Sequence, residues 1–320
     1  MKILIVGTGM IGTIYGQVLS AQNEVFHYVR TSRYSEKNNK TIHFDYIDER
    51  RKKNDQNING SYQYSCVTAA DSSYDLIIVP VKTFQLIETM KELAKQAPKA
   101  KYLIFTLDWN QMDQVDRIIS KDQYIVGYAG GGGTFKGDLL WGNVGKDIML
   151  GTIYPEQQPI LKNIDQVFRV CGIIPEVPQN ALHWLWMHNV STAPFGAALA
   201  KHRDFIKYLD DKELIKVTFG ACRECCLILK ARGVNLKQFP ESKMYTMPSF
   251  LYFIPIAMMR WNFKKNPVMQ RYTAHANDSL DEMCLNFEEI YQTGRELEIN
   301  MPNMDFLHKI VEKNHTISCI

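Results

Sequence analysis

The first twelve residues, Met1-Lys2-Ile3-Leu4-Ile5-Val6-Gly7-Thr8-Gly9-Met10-Ile11-Gly12, constrain this chain more than any other stretch. Ile3 to Val6 is an unbroken apolar run rich in β-branched residues, which reads as a strand buried on both faces. It leads directly into Gly7-x-Gly9-x-x-Gly12, and Met10 to Ser20 then has helical character. A dinucleotide site needs that order. The first glycine allows a tight turn, the second lets a pyrophosphate approach the backbone, and the third lets helix and strand pack closely. Phosphate charge then rests on the helix N-terminus. Gly7, Thr8, Gly9, Met10, Ile11 and Gly12 are therefore the expected phosphate-binding residues.

The second strand, Glu24 to Val29, bears on which cofactor is taken. An NAD site usually ends this strand with Asp or Glu, which accepts hydrogen bonds from the ribose hydroxyls. Here the chain continues Val29-Arg30-Thr31-Ser32-Arg33, with no carboxylate. Arginine forms bidentate, charge-assisted pairs with phosphate, so the 2′-phosphate of NADP(H) is the better match and NAD and FAD are disfavoured.

Alternation then governs the first half. Ser35 to Gly60 is polar and lysine-rich, with a strand expected at Thr41 to Ile47. Asp75 to Val81, Tyr102 to Thr106 and Gln123 to Gly127 read as strands, and Thr83 to Ala94 as a helix. This pattern predicts a doubly wound, mostly parallel α/β sheet of the Rossmann type, whose ligands bind beyond the carboxyl ends of the strands. Gly130 to Gly133 is expected to be a loop near the site. Phe135 to Gly142 and Lys146 to Gly151 are expected to form a terminal antiparallel pair, followed by a helix over Tyr154 to Val170. Gly172, Pro175 and Pro178 mark a boundary, which gives a nucleotide-binding domain over 1–178 and a second domain over 179–320. The second domain reads as all-α, with its clearest helices at Ala181 to Ala200, Asp211 to Arg232 and Asn277 to Leu297.

Composition excludes several classes. A net charge of +3 with no dense basic run gives no support for a nucleic-acid partner. The longest apolar stretch, Phe250 to Met259, contains Pro255 and is too short to span a bilayer. Seven scattered cysteines suggest no disulfide framework. A core strand beginning at residue 2 leaves no room for a cleavable signal peptide, so a cytoplasmic location is expected. Cys222-x-x-Cys225-Cys226 lacks a second ligand pair for structural zinc and is expected to lie buried on one helix, with no metal. The aromatic and methionine run Met244 to Trp261 is expected to pack in the core, with an apolar pocket or a dimer face as the alternatives.

These residues are similar to those of the ketopantoate reductase (2-dehydropantoate 2-reductase) family, whose members reduce a 2-keto acid with NADPH. The opening KILIVGTGMIGTIYG, with its Tyr15-Gly16 pair, resembles the family's start. Arg30 matches its arginine for the 2′-phosphate, and Val81-Lys82-Thr83-Phe84-Gln85 resembles its valine-lysine motif. Tyr154-Pro155 fits its passage towards the second domain. Asn110 matches, with a one-residue slip, the asparagine of its Leu-Gln-Asn-Gly turn; without the slip Trp109 stands there. In Leu185-Trp186-Met187-His188-Asn189-Val190-Ser191-Thr192-Ala193-Pro194, Asn189 and Pro194 fall in place. Leu185, however, stands where the family has its general-acid lysine, and Ala193 where it has a second asparagine. Glu282 matches its substrate-binding glutamate, and the serine-rich motif before it is absent.

The resemblance implies reduction of a small 2-keto acid with NADPH, a step of pantothenate biosynthesis in the family, with Lys82, Asn189 and Glu282 at the site. Hydride transfer to a ketone leaves negative charge on oxygen, so a proton donor must replace the missing lysine. Lys82 and His188 are the expected substitutes, and His183 and His275 are less constrained ones. A homodimer is allowed for. The alternative reading is a non-catalytic NADP(H)-binding sensor on the same fold.

Overall fold

The computed structural model describes every residue except His275, Asn277, Cys319 and Ile320, and for residues 315–318 the backbone alone. The chain divides into two compact units, Met1–Leu182 and His183–Ile320.

The first unit opens with β1 (Lys2–Val6), α1 (Met10–Leu19), β2 (Glu24–Tyr28), α2 (Thr31–Lys37), β3 (Thr41–Asp48), β4 (Asn57–Gln63) and β5 (Cys66–Val67). It continues with β6 (Leu76–Val79), α3 (Leu86–Gln96), β7 (Tyr102–Phe105), α4 (Met112–Val115) and β8 (Tyr124–Tyr128). β9 (Gly131–Lys136), β10 (Leu139–Val144), β11 (Asp147–Gly151), α5 (Gln158–Val170) and β12 (Ile174–Glu176) complete it. The larger sheet has eight strands in the order β12-β11-β8-β7-β6-β1-β2-β5. The six from β5 to β8 are all parallel, and the strand order reverses between β1 and β6, the place where doubly wound sheets bind ligands. β1 and β6 are apolar runs buried along nearly their whole length, as strands covered on both faces must be.

A second sheet, of four strands in the order β4-β3-β10-β9, is the main departure from expectation. β3 pairs antiparallel with β4 and parallel with β10, although β10 comes about 90 residues later in the chain. Ile42, Phe44 and Tyr46 of β3 point inward while Thr41 and His43 are exposed, the period-2 pattern of a strand with one wet face.

The glycine run is not a loop: Gly131 to Gly133 belong to β9, paired with Gly142 to Val144. The reason is close approach of backbones. A Cβ on Gly130 would overlap the Asp147 carbonyl, and one on Gly133 would stand 2.5 Å from the Trp141 carbonyl oxygen. The expected pairing of Phe135–Gly142 with Lys146–Gly151 is also overturned. Gly137, at φ +62°, turns the chain with Asp138, so β9 and β10 form the hairpin. β11 joins the large sheet instead, antiparallel to β8 and parallel to β12.

The second unit begins inside α6 (Ala181–Leu199) and continues with α7 (Phe205–Asp210), α8 (Lys212–Ala231), α9 (Ser242–Thr246), α10 (Phe253–Lys265), α11 (Pro267–Thr273), α12 (Leu280–Glu296) and α13 (Pro302–Ser318). It contains no strand among the described residues. Its helices are tied by caps. Asp211 accepts from the Leu214 N–H at the start of α8, and Glu224 of α8 accepts from the Asn303 and Met304 N–H groups that open α13. Cys222, Cys225 and Cys226 are buried on α8, burial raises their thiol pKa values, and no metal-ligand cluster exists among the described residues. No described helix is long and apolar enough to cross a membrane.

The run Met244 to Trp261 does not pack as core throughout. Tyr245 and Tyr252 are buried, but Phe250, Phe253, Met258 and Trp261 are 65–75% exposed. The run is apolar without a helical period, and a helix can bury only one side, so α10 leaves its remainder in solvent.

Candidate functional site

The turn after β1 has the geometry of a phosphate cradle. Gly7 sits at φ +85°, and its N–H donates to the Tyr28 carbonyl at 2.8 Å, tying the turn to the end of β2. Gly9 is the N-cap of α1, and a Cβ there would meet nothing within 4 Å, so its outer face is open. Gly12 is the tight one. A Cβ on it would stand 3.1 Å from the Gly7 oxygen and 3.3 Å from Ile5 Cγ2, which is why the helix can rest on the turn. Thr8 is half-buried between them, and Met10 and Ile11 begin α1. The first turn of α1 carries no acidic side chain, so its positive end is unopposed.

Beside this turn lies a cleft of about 700 Å³, at the carboxyl ends of β1, β2 and β6. Gly7 and Thr8 line it from the turn, Arg30, Arg33 and Lys37 from α2 and its entry, and Val81, Gln85 and Glu88 from beyond β6. Arg33 and Lys37 lie 2.7 and 3.1 Å from the Glu36 carboxylate, and their hydrogen bonds hold it below its ordinary pKa. Arg30 is exposed at the N-cap position of α2 and makes no ion pair among the described residues. The chain thus lines this wall with Arg30, Arg33 and Lys37, the last two paired with Glu36, and places no carboxylate directly after β2, where an NAD site would have one.

Other candidates lie elsewhere. Lys82 caps the 3₁₀ turn Thr83–Gln85, half-buried, with Nζ 5.8 Å from the centre of the Phe84 ring. Its neighbours Val81 and Gln85 line the cleft, and Lys82 does not. Of the two matches after β7, Trp109 is fully buried and Asn110 is exposed, so only Asn110 presents itself to solvent.

In the helical unit Leu185 is fully buried on α6. His188 stacks flat on Trp184, ring centres 5.3 Å apart, and burial pushes its pKa down to about 4. Its imidazole is therefore neutral at pH 7. Burial, helped by nearby Arg232, also lowers His183, and the same guanidinium lies 3.7 Å over the Trp186 ring. Asn189 is fully buried one residue beyond His188, and Glu282 is half-buried in the first turn of α12. His275 lies outside the described residues.

Lys37, Thr68 and Gln96 of the cleft were not legible in the sequence. Lys37 sits four residues after Arg33 on a short helix hidden in a polar stretch, and Thr68 follows a strand only two residues long.

Comparison with known proteins bears out the resemblance read from the sequence. Residues 3–141 match the family model described as ketopantoate reductase PanE/ApbA. A 2-dehydropantoate 2-reductase of Pyrococcus abyssi (strain GE5 / Orsay) is 23% identical over 275 residues, 82% of each chain. Among solved structures, D-mandelate dehydrogenase in a ternary complex with NADH and anilino(oxo)acetate superposes with a TM-score of 0.75 at 14% identity, covering all of both chains. A dimeric ketopantoate reductase from Staphylococcus aureus superposes at 0.69 and 13% identity over 99% of each. The α/β sheet unit followed by a helical unit is the fold these proteins share.

Proposed function

We propose that this chain is an NADPH-dependent reductase of a small 2-keto acid, 2-dehydropantoate or a related carbonyl compound. One observation carries the reading: the cleft joins an open glycine cradle to Arg30, Arg33 and Lys37, with no carboxylate at the end of β2. The cradle suits a pyrophosphate, and Arg30 suits a 2′-phosphate. The D-mandelate dehydrogenase neighbour was solved with NADH, so the arginine is what favours NADPH here.

Bound NADPH would supply the hydride for the carbonyl carbon. The chain must then deliver a proton to the oxygen as the C=O π bond breaks. Buried Leu185 has none to give, and His188, neutral until about pH 4, is a poor donor at pH 7. Lys82, at the carboxyl end of β6 and next to cleft-lining Val81, is assigned that proton, with His183 and His275 as the less constrained alternatives. Asn189 and Glu282 are assigned to hold the substrate's polar groups, with His188 packing beside Asn189, and Asn110 joins the cofactor set. A homodimer belongs to the same reading, supported by the exposed aromatic face of α10 and the dimeric neighbour from Staphylococcus aureus.

The test is NADPH oxidation with a panel of 2-keto acids, alongside NADPH and NADH titrations. Saturable turnover that Lys82→Ala lowers by about a hundredfold or more is expected, the range for a general acid. Arg30→Ala should weaken NADPH about tenfold and leave NADH unchanged. Tight NADPH binding with no turnover on any keto acid would turn the reading to a nucleotide-binding sensor.

A further inference from the structure

Two hydrogen-bond chains reach the back of the glycine turn from the second sheet. His27, on β2, is fully buried behind the turn. Its Nδ1 lies 2.9 Å from the Gly7 carbonyl oxygen and its Nε2 lies 3.0 Å from the Tyr62 hydroxyl. A carbonyl only accepts, so Nδ1 carries the proton. Burial lowers the His27 pKa to about 4, so the ring is neutral at pH 7 and Nε2 must accept from the Tyr62 O–H.

The second chain has the same logic. Thr13 Oγ1 donates to the Gly9 carbonyl oxygen at 2.8 Å, which leaves its lone pairs facing the Tyr64 hydroxyl 2.7 Å away. Tyr64 is therefore the donor there. Each chain starts on a tyrosine, passes through one side chain and ends on a carbonyl of the turn. Tyr62 lies on β4 and Tyr64 just after it, so one short stretch of chain supplies both. Gly16 makes room: a Cβ there would stand 2.7 Å from His27 Nε2 and 2.9 Å from the Tyr62 hydroxyl.

We propose that Tyr62 and Tyr64, acting through His27 and Thr13, are positioning residues that preset the glycine turn for a dinucleotide's pyrophosphate. The inference rests on reading the cleft as a dinucleotide site. In a trans peptide the C=O and the next N–H point in opposite directions. Holding the Gly7 and Gly9 carbonyls inward therefore aims the Thr8 and Met10 N–H groups outward, where phosphate oxygens would lie. Donation into each carbonyl also polarises its peptide group and strengthens the N–H on the far side.

The experiment compares wild-type protein with Tyr62→Phe, Tyr64→Phe and the double variant, which lose only hydroxyls. Kd is measured for NADPH, by fluorescence, and for adenosine 2′-monophosphate, which keeps the adenosine and 2′-phosphate but has no pyrophosphate. Each single change should raise the NADPH Kd about fivefold and the double about twentyfold, with the 2′-monophosphate Kd unchanged. Nitrogen-15 NMR of the wild type should show His27 protonated on Nδ1. Equal NADPH affinity in all four proteins overturns the proposal, as does parallel weakening of both ligands, which would mean general support of the fold. Wild-type protein that binds neither nucleotide overturns the dinucleotide reading itself, a failure distinct from loss of the hydroxyl effect.

Discussion

The tightest glycines of the two units press against different things. In the sheet unit, a Cβ on Gly130 would overlap the Asp147 carbonyl, and one on Gly145 would overlap that of Gly130. In the helical unit, Gly196 rests against the side chain of Met283, Gly220 against Asn303 and Gly294 against Met301. Backbone cannot step aside, whereas the end of a methionine, such as the Met301 sulfur and methyl against Gly294, can. At Gly130 and Gly145 the sheet unit is therefore built to close backbone tolerances, and at Gly294 the helical unit is built on an adaptable contact.

The largest effect should come from the glycines themselves. Gly130→Ala is expected to cost on the order of 4 kcal/mol, because the new methyl group meets a carbonyl inside a sheet. Gly294→Ala should cost only about 1 kcal/mol, as the sulfur and terminal methyl of Met301 shift. Urea unfolding of both variants measures this, and equal costs would break the contrast.

Acid comes next. His27 has its pKa lowered from 6.5 to about 4, so between those values the unfolded chain binds a proton that the folded chain refuses. Stability from this source is whole above pH 6.5 and falls as pH drops to 4, by roughly 3 kcal/mol. His188 is lowered to about 4 as well, so the helical unit should weaken over the same range. Hydrogen exchange followed across pH separates the two, and His27→Asn should flatten the response of the sheet unit alone.

A smaller effect tests function without disturbing the fold. Gly9→Ala adds a methyl group into open space, so the melting temperature should hold while NADPH affinity falls about tenfold, near 1.4 kcal/mol. Unchanged affinity would detach the cradle from the cofactor. The smallest effect is expected at the exposed face of α10. Trp261→Ser, at a side chain 68% exposed, should change monomer stability by no more than about 0.5 kcal/mol. A larger loss would show that face to be covered, and sedimentation would then reveal the second copy.

Much of the sheet unit was legible because its signals are local. β1, β6 and β7 are apolar runs bounded by turn residues, and Gly7 to Gly12 announce their geometry within six positions. The second sheet was hidden for physical reasons. β4 buries no residue fully and reads as the polar run Asn57–Gln63, and β9 opens on glycines whose role depends on carbonyls of a strand they have yet to meet. At the site, Arg30 could be read from its place after β2. The setting of His27 could not, since its hydrogen-bond partner Tyr62 is 35 residues away and on a strand of the other sheet. In the helical unit the periodicity gave the helices, but nothing in the spacing of α10 told which of its apolar residues would stay wet.

The parallel pairing of β3 with β10 also has a consequence in time. A chain emerging from the ribosome completes its glycine turn within about thirty residues, and β3 can fold back on β4 soon after. The edge of β3 that belongs to Leu139–Val144 must wait, however, until some ninety more residues have been made, roughly five to twenty seconds at ordinary rates of synthesis. Throughout that interval Phe44 and Tyr46 sit on a hairpin with an open edge, the condition under which strands recruit the wrong partner. The nascent protein is thus most exposed to aggregation before residue 144 appears.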